Sequence, residues 1–258
     1  MKTYGLIGKN LSHSFSKPFF EKKFENESII DSEYLNFTLS KIEELPNLIS
    51  SLPDLCGLNV TIPYKEEVIK YLDKLDQTAL EIGAVNTIKI HRTKNRTELV
   101  GFNTDIFGFE NSIKSHINSK IKKALVLGMG GAAKSVAYVL KKFSIDIIFV
   151  SRNANSKNCI SFENLSQEDI QKSQLIINTT PIGMFPDCEN FLKIPYQFIG
   201  KEQLVFDLIY NPSETMFLKF SKQNKAKTIN GLKMLELQAE ESWKIFQQPL
   251  EKNYTFGK

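Results

Sequence analysis

Lys65 and Asp105 are the side chains in this 258-residue chain best suited to acid–base work. Lys65 closes the run Asn59-Val60-Thr61-Ile62-Pro63-Tyr64-Lys65, which leaves a strand and is expected to open a helix. A helix dipole disfavours a cation at that end, so Lys65 is read either as chemistry or as a solvated lysine. Asp105 ends Gly101-Phe102-Asn103-Thr104-Asp105 ahead of a helical stretch, as an N-cap or as a carboxylate facing a ligand. Ser14 and Ser16 alternate in Ser12-His13-Ser14-Phe15-Ser16. In extended backbone both hydroxyls point the same way and would grip a carboxylate; the same stretch also suits a helix N-cap. Asn59 and Thr61 share a face, and Asn86 stands in Val85-Asn86-Thr87. Several polar turns at strand ends in one region suggest a pocket for a polyhydroxylated ligand. No HExxH or GxSxG run and no His/Cys cluster is present, which sets aside metalloprotease and esterase chemistry and a bound metal. His13, His91 and His116 are read as structural or surface residues.

A second constellation points to a nucleotide. Ala124-Leu125-Val126-Leu127 reads as a buried parallel strand, Gly128-Met129-Gly130-Gly131-Ala132-Ala133 as a loop, Lys134 to Phe143 as a helix and Ile145 to Val150 as the next strand. That strand–loop–helix–strand unit of roughly 30 residues is the context in which a glycine loop holds a pyrophosphate against helix amides. An NAD site usually places Asp or Glu about 20 residues past the loop. Here the strand ends Phe149-Val150-Ser151-Arg152-Asn153, with Lys157 a few residues on. A guanidinium at Arg152 suits a 2′-phosphate, so NADP is expected over NAD. Asn178-Thr179-Thr180-Pro181-Ile182-Gly183-Met184 follows another strand and would lie on the same carboxyl edge.

The elements that must position these residues fall into two groups. Before residue 105 the chain alternates strands (Tyr4–Gly8, Glu33–Leu39, Leu55–Val60) with helices (Lys17–Phe24, Ile42–Leu52, Val68–Leu75) and a hairpin of Val85–Ile90 with Thr97–Phe102 around Lys94-Asn95-Arg96. Asp105 to His116 is helical and leads into the central unit, whose further strands are Leu175–Asn178, Leu204–Leu208 and Ala226–Ile229. A long helix opens at Gly231-Leu232, carries Met234, Leu235, Gln238, Ala239, Ser242, Trp243 and Phe246, and stops near Pro249. The expected fold is α/β: two α/β domains with a cleft between them. A net charge of +4, a hydrophobic fraction of 41% and a charged fraction of 24% fit a globular chain without a nucleic-acid tract, and no apolar run approaches a membrane span. Three scattered cysteines and a first segment without a signal-peptide core suit a reducing cytoplasm.

In order and register these motifs resemble the shikimate dehydrogenase family. They run from Gly5-Leu6-Ile7-Gly8 and Ser14-Phe15-Ser16 through Asn59–Lys65, Gly83-Ala84-Val85-Asn86-Thr87, Gly101–Asp105 and Gly128–Ala132. Ser151-Arg152-Asn153, Asn178–Met184, Asp207-Leu208-Ile209-Tyr210 and Asn230-Gly231 to Gln238-Ala239 complete them. The resemblance implies an N-terminal substrate domain (1–104 with 232–258) and a Rossmann-type NADP domain (105–231). It implies catalysis by Lys65 and Asp105, and substrate contacts from Ser14, Ser16, Asn59, Thr61, Asn86, Tyr210 and Gln238. Cofactor contacts would come from Gly128, Gly130, Gly131, Ala132, Ser151, Arg152, Asn178, Thr179, Thr180, Leu208 and Gly231. Two departures stand out: Lys17 separates Ser16 from Pro18, and Ser151-Arg152-Asn153 replaces the commoner Asn-Arg-Thr.

The implied reaction is NADPH-dependent reduction of 3-dehydroshikimate to shikimate in aromatic amino acid biosynthesis. Two alternatives stay open: a quinate/shikimate dehydrogenase preferring NAD, and a non-catalytic NADP-binding regulatory protein on the same scaffold. The expected partner is a small-molecule substrate, with no nucleic acid and no membrane, in a monomer or homodimer.

Overall fold

The computed structural model describes residues 1–12, 14–94, 96–152, 154, 158–249 and 255–256. His13, Asn95, Asn153 and Lys157, named above, lie outside the described residues. The chain divides into two compact units, Met1–Thr104 with Gln238–Lys258, and Asp105–Leu237.

The first unit is built on a mixed sheet. Its elements are β1 (Lys2–Gly8), α1 (Ser16–Asn26), β2 (Ser32–Thr38), α2 (Leu45–Ser51), β3 (Leu55–Val60), β4 (Lys74–Leu75), α3 (Gln77–Ile82), β5 (Thr87–Arg92) and β6 (Thr97–Phe102). β1 pairs in parallel with β2 and β3, and β3, β5 and β6 run antiparallel in turn. Successive residues of β1 feed opposite faces, as a pleated strand requires. Tyr4 and Leu6 pack with Phe20, Phe24, Trp243 and Phe246, whereas Ile7 joins Leu45, Ile49, Leu58 and Val60 on the other side. Glycine makes room for rings at two central positions. A Cβ at Gly57 would stand 2.4 Å from the Phe246 ring, and one at Gly5 would stand 2.4 Å from that of Phe37. Lys23 carries the packing into electrostatics: its buried ammonium bridges Glu27 at 2.6 Å and Glu240 at 2.7 Å.

The second unit begins with α4 (Asp105–Ile113), β7 (Lys123–Leu127), α5 (Gly131–Lys142), β8 (Asp146–Ser151), β9 (Cys159–Ser161), α6 (Gln167–Lys172) and β10 (Leu175–Asn178). It continues with β11 (Leu204–Asp207), α7 (Met216–Gln223) and β12 (Lys227–Ile229). α8 (Leu232–Gln247) then passes into the first unit, where β13 (Thr255–Phe256) pairs with β4. The sheet order is β12-β11-β10-β7-β8-β9, and every pairing is parallel. β10 and β11 are buried along their whole length, as are Ala124–Leu127 of β7, which is why these segments read as unbroken apolar runs. This is the expected α/β architecture with a Rossmann-type second sheet.

Three expectations need correction. Val68–Leu75 is not one helix: a 3₁₀ turn spans Glu67–Tyr71, and the chain then pairs as β4. Lys65 therefore lies in a turn ahead of a short 3₁₀ segment, and the helix-dipole argument for it falls away. The backbone at Ser14–Ser16 is not extended either. Phe15 is already αR and Ser16 is the first residue of α1. Pro18 falls in the first turn, where no intrahelical N–H is needed, so the extra Lys17 is accommodated without a break.

Asp207, at the end of β11, is wholly buried. It accepts hydrogen bonds from Thr215 Oγ1 at 2.6 Å, Asn178 Nδ2 at 3.0 Å and the Ile209 amide at 3.0 Å. Burial outweighs these donors and pushes its carboxyl up to about 6 from an ordinary 3.8. A carboxyl bound more tightly to its proton in the folded state stabilises the fold fully below the unfolded value, and that stabilisation is lost as pH rises through about 6. Asp207→Asn should remove this dependence. Urea unfolding from pH 4 to pH 7 should show the variant gaining on the parent by on the order of 3 kcal/mol. Parallel profiles would show that Asp207 titrates normally.

Candidate active site

In the first unit the candidate residues gather at one edge of the sheet. Ser14 and Ser16 follow β1, and Asn59 and Thr61 stand at the end of β3. Asn86 precedes β5, which is antiparallel to β3, so it comes to the same edge; Thr104 follows β6 there. Lys65 is half-buried in the turn after β3, its carbonyl accepting the Val85 amide at 2.7 Å. Ser14 Oγ accepts from the Ser16 amide at 3.2 Å. That bond uses a lone pair and leaves the O–H as a donor, which still suits a carboxylate. Ser16 itself is buried.

Asn59, Asn86 and Gln238 are held by a buried polar network. Asn59 Oδ1 accepts from Tyr34 Oη at 2.8 Å, and its Nδ2 donates to Ser242 Oγ at 2.9 Å, Thr87 Oγ1 at 3.2 Å and the Asn86 carbonyl at 3.3 Å. Asn86 Oδ1 accepts the Thr104 amide at 2.7 Å. Asn86 Nδ2 donates to Thr104 Oγ1 at 3.0 Å and to Gln238 Oε1 at 3.3 Å. Ser242 Oγ donates to the Gln238 carbonyl at 2.9 Å and lies 2.8 Å from Thr87 Oγ1 and 3.0 Å from Thr104 Oγ1. Thr87 and Ser242 are completely buried. A buried amide left unpaired would cost more than the bond itself is worth, so this mutual satisfaction fixes the edge.

The residues just described that sequence reasoning gave no role are Tyr34, Thr87, Thr104 and Ser242. A signal for Ser242 existed: a hydroxyl on the same helix stripe as Ala239, Trp243 and Phe246, which belongs to the core. Trp243 stands 5.1 Å from Tyr4 and 5.0 Å from Phe24, inside the aromatic core of this unit.

In the second unit the strand order reverses between β7 and β10, so the loops after them flank a topological switch point, where open α/β sheets bind ligands. Gly128 has φ +117°, a conformation that favours glycine, and a Cβ there would stand 2.6 Å from Thr179 Oγ1. Thr179 donates both its amide (2.9 Å) and its hydroxyl (2.8 Å) to the Leu127 carbonyl, tying the two loops together. Asn178 is buried, and its Oδ1 receives the Thr180 amide and hydroxyl at 2.9 and 2.7 Å. α5 opens at Gly131 behind Gly130, with no side-chain cap and no acid in its first turn; Ala132 is half-buried beside it. A Cβ at Gly130 would meet no described atom within 4 Å. Uncapped helix amides beside open space form a cradle for an anion, so the residues fit a dinucleotide pyrophosphate. Ser151 ends β8 and Arg152 follows it, exposed.

Gly231 is forced by backbone: a Cβ there would lie 1.9 Å from the Leu208 carbonyl oxygen. Its amide donates to the Ile209 carbonyl at 3.0 Å, and the Leu208 amide donates to the Asn178 carbonyl at 3.0 Å. Leu208, Gly231 and the Asn178–Thr180 turn thus share the carboxyl edge of the second sheet, and half-buried Tyr210 follows β11 there. Asp105 is buried at the first position of α4.

Comparison with known proteins agrees with both sheets. Residues 6–88 match the family model described as the shikimate dehydrogenase substrate binding domain. The NADP(+) shikimate dehydrogenase of Methanococcus vannielii is 40% identical over 94% of this chain and 90% of its own. The crystal structure of shikimate dehydrogenase 1 from Peptoclostridium difficile superposes with a TM-score of 0.84 at 36% identity, covering 98% of this chain and 94% of that one. Shikimate 5-dehydrogenase of Thermus thermophilus, solved with NADP(H) and shikimate, gives a TM-score of 0.82 at 27% identity, covering 96% of this chain and 94% of that one. With relatives this similar over nearly its whole length, the chain belongs to the shikimate dehydrogenase family.

Proposed function

We propose that the chain catalyses the reversible NADP-linked interconversion of 3-dehydroshikimate and shikimate, a step of aromatic amino acid biosynthesis. One observation carries the reading. In a chain of this family, a glycine loop and a Thr-Thr turn meet at the switch point of a parallel sheet, and an arginine rather than an acid follows the next strand. Residues 105–231 form the NADP domain in this proposal, and 1–104 with 232–258 the substrate domain.

NADPH, when bound, supplies the hydride that reduces the substrate's carbonyl carbon. The Gly128–Ala132 loop holds the pyrophosphate, with Asn178, Thr179, Thr180, Leu208 and Gly231 shaping the remaining edge. Ser151 and Arg152 take the 2′-phosphate. Ser14 and Ser16 hold the substrate carboxylate. Asn86, Gln238, Thr61 and Tyr210 surround the ring, and Asn59 braces them from within the network. As the carbonyl carbon is reduced, negative charge grows on its oxygen. The Lys65 ammonium stabilises that charge, and its N–H bond breaks as the new O–H bond forms. In the reverse direction the Lys65 amine accepts the alcohol proton. Asp105 orients the ammonium and a neighbouring substrate hydroxyl.

A cytoplasmic enzyme acting on small molecules as a monomer or homodimer is part of the proposal; Cys56, Cys159 and Cys188 are all free thiols. Among the described residues no helix is long and apolar enough to cross a membrane.

Steady-state kinetics on two variants test the assignment. Lys65→Ala should lower kcat by a factor of about 10² to 10⁴ and change the shikimate KM far less; unchanged turnover would remove Lys65 from the chemistry. Arg152→Ala should raise the NADP KM about tenfold and leave the NAD KM where it was. Equal effects on both cofactors would mean that Arg152 does not read the 2′-phosphate.

A further inference from the structure

The buried network has a polarity, and one backbone group sets it. The Thr104 amide can only donate, and it donates to Asn86 Oδ1 at 2.7 Å. Asn86 therefore turns its oxygen to that amide and its Nδ2 to Thr104 Oγ1, at 3.0 Å, and to Gln238 Oε1, at 3.3 Å. Gln238 in turn must face the network with its oxygen, because Asn86 Nδ2 brings hydrogens. The Thr104 hydroxyl stands between them, 3.4 Å from Gln238 Oε1 and 3.0 Å from Ser242 Oγ. Its hydrogen bonds reach both of these side-chain amides and Ser242. Thr104 is 1% exposed, so it acts through its neighbours and not by touching a ligand.

We infer that Thr104 is a positioning residue: its amide sets the orientation of Asn86, and its hydroxyl, beside Asn86 Nδ2 and Gln238 Oε1, holds the two side-chain amides together and thereby the donor and acceptor pattern offered to the substrate's hydroxyl groups. The inference rests on the shikimate reading for its substrate and on the first unit's own geometry for its mechanism. Val is close in shape to Thr and lacks the hydroxyl, whereas Ser keeps the hydroxyl and lacks the methyl group. The two substitutions therefore separate hydrogen bonding from packing. Without the hydroxyl the Thr104 amide still holds Asn86 Oδ1, but Asn86 Nδ2 loses the acceptor at 3.0 Å and Gln238 Oε1 loses a donor at 3.4 Å, so the Asn86 amide protons are less protected and the Gln238 amide gains freedom to turn. Binding to a site built for hydroxyl groups then suffers, because its polar groups no longer meet their partners.

The test combines kinetics with side-chain amide exchange measured by NMR. Thr104→Val should raise the shikimate KM about tenfold while the NADP KM stays at its parent value, and Thr104→Ser should restore the shikimate KM. A parental shikimate KM in Thr104→Val, or equal damage in both variants, would overturn the inference. Side-chain amide protons of Asn86 and Gln238 should exchange slowly in the parent and in Thr104→Ser, and fast in Thr104→Val. This arm needs no substrate. If the parent fails to turn over shikimate, the functional reading falls, and the exchange rates still decide the positioning role: equal protection in all three proteins would refute it. Should Thr104→Val not fold, Ser242→Ala removes the partner of that hydroxyl on α8. It should raise the shikimate KM in the same direction, and an unchanged value would count against the inference.

Discussion

The hydrogen bond from the Thr104 amide to Asn86 Oδ1 is the contact on which the first unit's site depends. A backbone N–H offers no choice of role, so every neighbouring side chain must adopt the complementary one. Gln238 accepts from Asn86 through its side-chain oxygen, and Ser242, Thr87 and Asn59 close the network around them. Buried polar groups of this kind contribute little net stability when satisfied and cost a great deal when they are not. Their arrangement therefore specifies geometry more than it adds strength. Stability is left to the aromatic core beneath, where Phe20 stacks on Tyr34 with centroids 4.3 Å apart and Phe246 lies over Gly57.

The second unit applies the same constraint to backbone. Its sheet is parallel and its central strands are buried on both faces, so the loops at the carboxyl edge are the place for ligand contact. There the chain approaches itself too closely for side chains, at Gly128 against Thr179 and at Gly231 against the Leu208 carbonyl. Asp207 holds that edge from within by accepting three donors, one of them from Asn178, whose oxygen orders the Thr180 turn. A cradle for an anion and a buried carboxylate thus share one support.

Much of this was legible in the sequence, for definite reasons. Unbroken apolar runs marked β7, β10 and β11 because strands covered on both faces have no polar side. The glycine loop was legible because it sat between such a strand and a helix of the right period. Val68–Leu75 reads as one helix in the sequence because a five-residue 3₁₀ turn and a two-residue strand are too short to show a period of their own. Ser14 and Ser16 were chosen for an alternation that the backbone does not have; Phe15 is helical, and Ser14 instead accepts the Ser16 amide. Thr87, Thr104 and Ser242 were passed over because a hydroxyl among apolar neighbours announces burial but not its partners. Those partners lie up to 183 residues away along the chain and meet only when α8 packs on the sheet.

The proposed reaction joins a 2′-phosphorylated cofactor and a hydroxy acid of the shikimate type. It is tested most directly by following nicotinamide absorbance in the unmodified protein with shikimate or quinate, each with NADP or NAD. The account predicts the highest kcat/KM for shikimate with NADP, and weak reduction of NAD. Preference for quinate with NAD would contradict it, as would NADP binding without turnover of either acid.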